Sequence, residues 1–117
     1  MPWCNIVTAG SCSLAEQEQI KTELGVIIAE TMNKPETGLA VTFVGADGFY
    51  RAGAPVQDAA AVDLRYIGQF PLDVKKATTK RICQLLQRVL GVDPLKIMVV
   101  MSEVDGDNWG RRGGDYP

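Results

Sequence analysis

Two stretches of the sequence, NKPETGLAVTFV at residues 33–44 and VDPLKIMVVM at residues 92–101, share one arrangement. In each stretch a proline lies six residues before a valine of an apolar run: Pro35 before Val41, and Pro94 before Val100. Each proline also follows a segment with helical periodicity. We interpret the pattern as a β-α-β unit of about 40 residues that occurs twice in the chain.

The segments before these prolines predict two amphipathic helices. Ser13 and Glu16 form a capping-box pattern, so the first helix is expected to begin there and to run to about Met32. Asp73 can cap the second helix, and Gly91 ends it. Apolar residues recur at helical spacing in both segments: Ile20, Leu24, Ile27 and Ile28 in the first, and Ile82, Leu85, Leu86, Val89 and Leu90 in the second.

Four apolar or alternating runs predict strands, at residues 3–8, 39–44, 59–67 and 97–101. Together with the helices they predict a single α/β domain over residues 1–117, in which both helices cover one face of a mixed four-stranded sheet. The other face would then present apolar residues that nothing in the chain covers. An exposed apolar face of that size favours self-association.

Composition excludes several classes of function. A net charge of -2 disfavours nucleic acid as a partner, and the chain contains no histidine, which removes Ser-His and Cys-His pairs. Cys4, Cys12 and Cys83 lack the paired spacing of a zinc site or a disulfide framework. No apolar run is long enough to span a membrane and no signal peptide is present, so we expect a cytoplasmic protein without membrane contact.

The reactivity of the second residue depends on whether the initiator methionine is removed. Removal of Met1 would leave Pro2 as a secondary amine at the start of the first strand. Such an amine accepts a proton from carbon only when neutral, and a nearby ammonium such as Lys34 together with an apolar pocket would lower its pKa. Taken singly, Pro2 also suits the start of an edge strand, and Lys34 also suits the solvated end of a helix.

Considered together, several short motifs resemble those of the tautomerase superfamily, and within it the macrophage migration inhibitory factor-like proteins. The resemblance extends over nearly the whole chain, although each motif is unspecific alone. The motifs are Met1-Pro2 before a strand, Asn33-Lys34-Pro35 after the first helix, Tyr66-Ile67-Gly68 at a strand end, and Asn108-Trp109-Gly110 with Tyr116 in the tail.

This resemblance implies a homotrimer with active sites between subunits and no cofactor or metal. It implies that Pro2 is the base in keto-enol tautomerisation of small aromatic 2-oxo acids such as phenylpyruvate. Lys34 would hold the substrate carboxylate or the enolate oxygen, and Ile67 would form a wall and offer a backbone N–H. Further pocket-lining candidates are Trp3, Met98, Trp109 and Tyr116.

The sequence departs from the animal cytokine's pattern at several pocket positions. Met98 and Val100 replace a tyrosine and an asparagine that the neighbouring subunit contributes there, so a more apolar pocket is expected. Gly38 replaces a pocket-edge tyrosine. Arg111 aligns with the pocket tryptophan, with Trp109 two residues earlier as a substitute.

Two other functions remain open from the sequence. One is a trimeric protein-interaction role, similar to that of a cytokine, in which the tautomerase site is vestigial. The other is a ligand-binding regulatory domain of ferredoxin-like β-α-β-β-α-β type, which needs no free amine.

Overall fold

The computed structural model of the protein describes residues 2–117, so Met1, whose removal would free the Pro2 amine, lies outside the described residues. The predicted helices are both present, and the predicted strands are present with ends that differ by up to three residues. Within residues 2–117, neither helix is apolar enough over the required length to cross a bilayer. The elements are β1 (Trp3–Ala9), α1 (Leu14–Met32), β2 (Ala40–Ala46), β3 (Tyr50–Arg51), β4 (Ala54–Pro55), β5 (Ala60–Ile67), α2 (Leu72–Leu90) and β6 (Ile97–Val104).

Four of the strands form one mixed sheet in the order β2-β1-β5-β6. β1 pairs with β2 in parallel, β5 pairs with β6 in parallel, and the central pair β1–β5 is antiparallel. The predicted pair of β-α-β units is therefore confirmed. The short strands β3 and β4 form a separate hairpin between the two units.

The two units are related by one constant offset along the sequence. Both helices have 19 residues, and the offset that carries Leu14 onto Leu72 also carries Met32 onto Leu90. This repeat offset likewise relates the two short 3-10 turns that precede β2 and β6, Glu36–Gly38 and Pro94–Lys96. Pro35, however, caps its turn whereas Pro94 is the first residue inside its turn, so these prolines are not equivalent.

The repeat offset corrects one detail of the sequence comparison. The proline spacing pairs Val41 with Val100, but Val41 packs against the core whereas Val100 is 54% exposed on the opposite face. Successive strand residues point to opposite faces, so a register error of one residue reverses the face. The duplication is correct, and the pairing of these two valines is wrong.

The helix ends show which local signals are reliable. The Ser13 Oγ accepts a hydrogen bond from the Glu16 N–H at 3.1 Å, and the Glu16 carboxylate accepts one from the Ser13 N–H at 2.8 Å, which confirms the capping box. Gly91 ends α2 with a φ of 71°, as expected. The predicted Asp73 cap is wrong because α2 already begins at Leu72. Pro71, with a φ of -68°, is the residue that precedes the first turn.

Both helices cover one face of the sheet, and the core lies between them and the strands. Its largest fully buried side chains include Ile6, Ile20, Leu24, Ile28, Leu64, Tyr66, Ile82, Leu85 and Leu86. Burial among these groups, with a smaller contribution from the charge of Asp63, raises the pKa of the Cys4 thiol to about 12. This cysteine is therefore a neutral core residue.

The opposite face of the sheet is less apolar than expected. Met98 and Val100 are indeed about half exposed on it. At its centre, however, the Trp3 Nε1 donates to Thr42, whose hydroxyl donates to Asn5 at 2.6 Å. These polar side chains satisfy one another, which allows them to share a face with apolar neighbours.

Candidate active site

Pro2 and Ile67 lie at the same end of the sheet, on neighbouring strands. Trp3 pairs with Ala40 on one side and with Arg65 on the other. Pro2 precedes this row, and its carbonyl accepts a hydrogen bond from the Ala40 N–H at 3.0 Å. β5 ends two residues beyond Arg65, at Ile67. The antiparallel pairing of β1 and β5 thus brings the start of one strand next to the end of the other.

Lys34 reaches the same end of the sheet from α1. Asn33 ends the helix with a φ of 53°, a left-handed conformation that asparagine tolerates well, and turns the chain towards β2. The Lys34 Nζ lies 5.9 Å from the centroid of the Phe70 ring, and Phe70 lies three residues after Ile67. Three sequence-predicted residues, Pro2, Lys34 and Ile67, therefore converge on one corner of the fold.

Glu103 organises the segment beside Lys34, and the sequence did not identify it. One carboxylate oxygen accepts hydrogen bonds from the Phe70 N–H at 2.8 Å and from the Tyr66 hydroxyl at 3.1 Å. The Lys75 ammonium lies 3.2 Å from the same oxygen. The Phe70 N–H is the main cause that lowers the pKa of Glu103. Burial, followed by the bond to Glu103, raises the pKa of Tyr66 to about 12.

Two small cavities lie on either side of Val104, at the end of β6. One, of about 220 Å³, is lined by Trp3, Arg65, Val104, Asn108, Trp109 and Gly110. The other, of about 240 Å³, is lined by Ile67, Gly68, Gln69, Glu103, Val104, Asp105 and Gly106. Three of the predicted pocket residues, Trp3, Ile67 and Trp109, thus surround one strand end. Neither cavity is lined by Pro2 or Lys34.

The Trp3 ring is fixed by polar neighbours. Its Nε1 donates to the Thr42 hydroxyl at 3.0 Å. The Arg65 guanidinium lies 5.6 Å from its ring centroid and forms an ion pair with Asp63 at 3.1 Å. A tryptophan held at both its N–H and its face presents a rigid aromatic wall to the cavity that it shares with Trp109.

The two other predicted pocket residues occupy different places. Tyr116 packs over Gly110 in the tail, where an added Cβ would meet the tyrosine hydroxyl at 3.1 Å, so it lies next to Trp109. Met98 pairs with Ala61, at the opposite end of the sheet from Pro2. A single chain does not bring Met98 to the corner of Pro2, Lys34 and Ile67.

The described side chains offer no metal centre. Across residues 2–117, no three Cys, Asp or Glu side chains come together closely enough to coordinate an ion.

Both the sequence and the fold of this chain are similar to those of known proteins. A family model described as macrophage migration inhibitory factor (MIF) matches residues 1–116. MIF2 of Leishmania major has a similar structure, with 21% identity, a TM-score of 0.87, and coverage of 99% of this chain and 97% of that chain. No curated protein sequence matches the chain.

Two further solved structures share the fold. Pt0534 inactivated by 2-oxo-3-pentynoate is 14% identical, with a TM-score of 0.88 and coverage of 97% of this chain and 94% of that chain. The Q0 fused 4-OT wild type, a symmetric trimer, is 17% identical, with a TM-score of 0.84 and the same coverage. At these identities the likenesses show the fold, whereas the match of the family model over residues 1–116 shows that the chain belongs to the macrophage migration inhibitory factor family.

Proposed function

We propose that the protein is a keto-enol tautomerase of phenylpyruvate-like aromatic 2-oxo acids, with the Pro2 amine as its base. The observation that carries the proposal is the convergence of Pro2, Lys34 and Ile67 at one end of the sheet. These residues come from three separate elements, which the fold brings to one corner. The proposal requires that Met1 is removed, because a peptide bond would make the proline nitrogen an amide.

The proposed reaction moves one proton between carbon and oxygen of the substrate. In the direction of enol formation, the neutral Pro2 nitrogen takes a proton from the carbon next to the ketone, and the electron pair moves onto the ketone oxygen. Water then protonates that oxygen to give the enol, and the protonated Pro2 amine returns its proton to water. The Lys34 ammonium holds the carboxylate or the developing oxyanion, and the backbone N–H of Ile67 is a second donor for the carboxylate. A cation near the amine also disfavours its protonated form.

The substrate class is supported by the surroundings of this corner. Trp3 and Trp109 line one cavity of about 220 Å³, and two tryptophans suit a flat aromatic ring. Inactivation of the similar protein Pt0534 by 2-oxo-3-pentynoate supports 2-oxo acids as the class of substrate.

A homotrimer is part of the proposal because Met98 cannot reach Pro2 within one chain. Met98 and Val100 are 53% and 54% exposed on the face of the sheet that the helices leave open. In a trimer such as that of the similar fused 4-OT, this face would contact a neighbouring subunit, and Met98 would line the neighbour's pocket. Light scattering is expected to give three times the mass of the chain.

Replacement of the proposed base tests the function directly. We expect Pro2→Ala to lower the rate of enol-phenylpyruvate ketonisation by about 10²–10⁴-fold, the usual contribution of a positioned general base. Intact-mass spectrometry of both proteins verifies that Met1 is absent. Pro94→Ala, which changes a proline in the turn before β6, is the matched control and is expected to keep the activity. Equal activities of wild type and Pro2→Ala would contradict the proposal.

A further inference from the structure

The way in which Lys34 is held bears on what it can bind. A lysine that anchors a substrate carboxylate needs free N–H donors, and an internal carboxylate would occupy them. Among residues 2–117, the ion pairs within 4.0 Å do not include Lys34. Its ammonium lies instead 5.9 Å from the centroid of the Phe70 ring. The face of an aromatic ring attracts a cation without accepting its N–H groups as a carboxylate would.

The Phe70 ring is itself held in place on two sides. Its backbone N–H donates to the Glu103 carboxylate at 2.8 Å. Its ring meets the buried Tyr66 ring edge to face, with centroids 5.3 Å apart and planes at 74°. The Tyr66 hydroxyl donates to Glu103 as well, so one carboxylate fixes both aromatic residues. Phe70 is therefore a supported platform rather than a loose loop residue.

The second β-α-β unit shows that the fold does not require this group of residues. The repeat offset relates Tyr66 and Glu103 to Thr8 and Gly45, and each of these two pairs is in register across its parallel ladder. The same offset relates Lys34 to Val92 and Phe70 to Cys12. At these four positions the second unit therefore has no ammonium, aromatic ring or carboxylate. The aromatic and acidic residues are found where the lysine is present, and the shared backbone conformation does not require them.

We propose that Phe70 is a positioning residue for Lys34, and that Glu103 fixes Phe70 for this purpose. The ring face holds the ammonium at the corner of Pro2 and Ile67 while its N–H donors stay available for the carboxylate of a 2-oxo acid. The part of this inference that concerns substrate rests on the proposed function. The part that concerns the position of Lys34 is independent of any activity.

Kinetics of Phe70 variants test the consequence for substrate. Phe70→Leu keeps an apolar side chain but removes the ring, and we expect it to raise KM for phenylpyruvate about two- to fivefold, the equivalent of an exposed cation–π contact. The value of kcat should change less, because a carboxylate contact is made equally in the ground and transition states. Phe70→Tyr, which keeps an aromatic ring at this position, should have the KM of wild type. In a Lys34→Ala background, Phe70→Leu should have no further effect.

Proton NMR of Lys34 tests the position without turnover. The ε-methylene protons of a lysine above a ring face are shifted upfield, and Lys34→Ala identifies their signal by its loss. We expect the upfield shift in wild type and Phe70→Tyr, and its disappearance in Phe70→Leu. Phe43→Leu, which removes a ring packed against the core, is the matched control and should leave both KM and the shift unchanged.

The outcomes separate the two hypotheses. If wild type does not act on phenylpyruvate but the upfield shift depends on Phe70, the proposed function fails and the positioning role stands. If wild type is active, yet Phe70→Leu leaves both KM and the Lys34 signal unchanged, the positioning role is overturned. An equal rise in KM in Phe70→Leu and Phe70→Tyr would also overturn the positioning role, because the loss of the ring face would then not be the cause.

Discussion

At the end of α1 the chain places Lys34 beside an aromatic ring, whereas at the end of α2 the equivalent residue is Val92, which is 4% exposed. The two corners share their backbone: both helices have the same length, both end in a left-handed residue, and both lead through a 3-10 turn into a strand. The same conformation therefore holds a charged, partly exposed side chain in one unit and a buried apolar one in the other.

This difference separates what the fold requires from what the proposed chemistry requires. The second corner has Ala60 where the first has Pro2, and its nitrogen is an ordinary amide within β5. It also has Gly45 where the first has Glu103. The fold therefore tolerates small or apolar residues at these positions, so the charged and aromatic residues that occupy them in the first corner are best explained by a task other than folding.

The largest expected effect comes from making the second corner like the first. Val92→Lys would place an unpaired ammonium at a buried position, and we expect a loss of about 3–5 kcal/mol in the free energy of unfolding. Urea denaturation measures this loss. Lys34→Met, at the equivalent but partly exposed position, should lower the unfolding free energy by no more than about 1 kcal/mol, the upper value of an exposed cation–π contact.

Val92→Met is the matched control for that prediction, because it adds a similar length without charge. If Val92→Met and Val92→Lys destabilise the protein equally, the cost arises from packing and not from the buried charge. The comparison of the two corners would then lose its electrostatic basis.

A smaller effect is expected where the two helices end. Gly91 has a φ of 71°, and alanine in this region costs about 1–2 kcal/mol, so Gly91→Ala should lower the unfolding free energy by that amount. Gly91→Asn should cost less, because the first unit already has Asn33 there with a φ of 53°. Thermal unfolding of both variants measures the difference, and equal losses would show that the caps are not interchangeable.

The smallest expected effect is a dependence of stability on pH that arises from Glu103 in the first corner. The folded protein lowers the pKa of Glu103 through the Phe70 N–H and Lys75. The resulting stabilisation is present above the ordinary carboxyl pKa of about 4.3 and is lost as the pH falls through the lowered value. Chemical denaturation at pH 7 and below pH 4 should show a smaller loss for Glu103→Gln than for wild type.

Gly45, the equivalent of Glu103, has no carboxyl group, so the second unit has no counterpart of this interaction. Glu36→Gln, an acid in the turn after Lys34, is the control for a general loss of charge. If Glu103→Gln and wild type lose the same stability in acid, Glu103 is not the group that titrates.

Features with a local cause were predictable from the sequence. The capping box of Ser13 and Glu16 and the terminal Gly91 use hydrogen bonds and φ angles that neighbouring residues determine, and both predictions are confirmed. The predicted Asp73 cap was wrong because Pro71 occupies the N-cap position, so Asp73 lies inside the first turn of α2. The proline spacing indicated the duplication but gave a register one residue too long.

Features that depend on tertiary contacts were not predictable in the same way. Glu103 lies 33 residues beyond Phe70, and no spacing rule connects them. Lys75 lies 28 residues before Glu103, and only the tertiary fold brings its ammonium to 3.2 Å from this carboxylate. The grouping of Pro2, Lys34 and Ile67 was expected only through the resemblance to a known family, because their proximity depends on the antiparallel pairing of β1 and β5.

The central ladder of the sheet has a further consequence for how such a chain can be divided. Its pairs Cys4–Leu64 and Ile6–Val62 exchange places under the repeat offset, so the interface between the two units is self-complementary. A half-length chain with the sequence of one unit could therefore close the same four-stranded sheet by pairing with a second copy of itself. The full chain resembles a dimer whose subunits are joined, and joining them lets each half carry different residues.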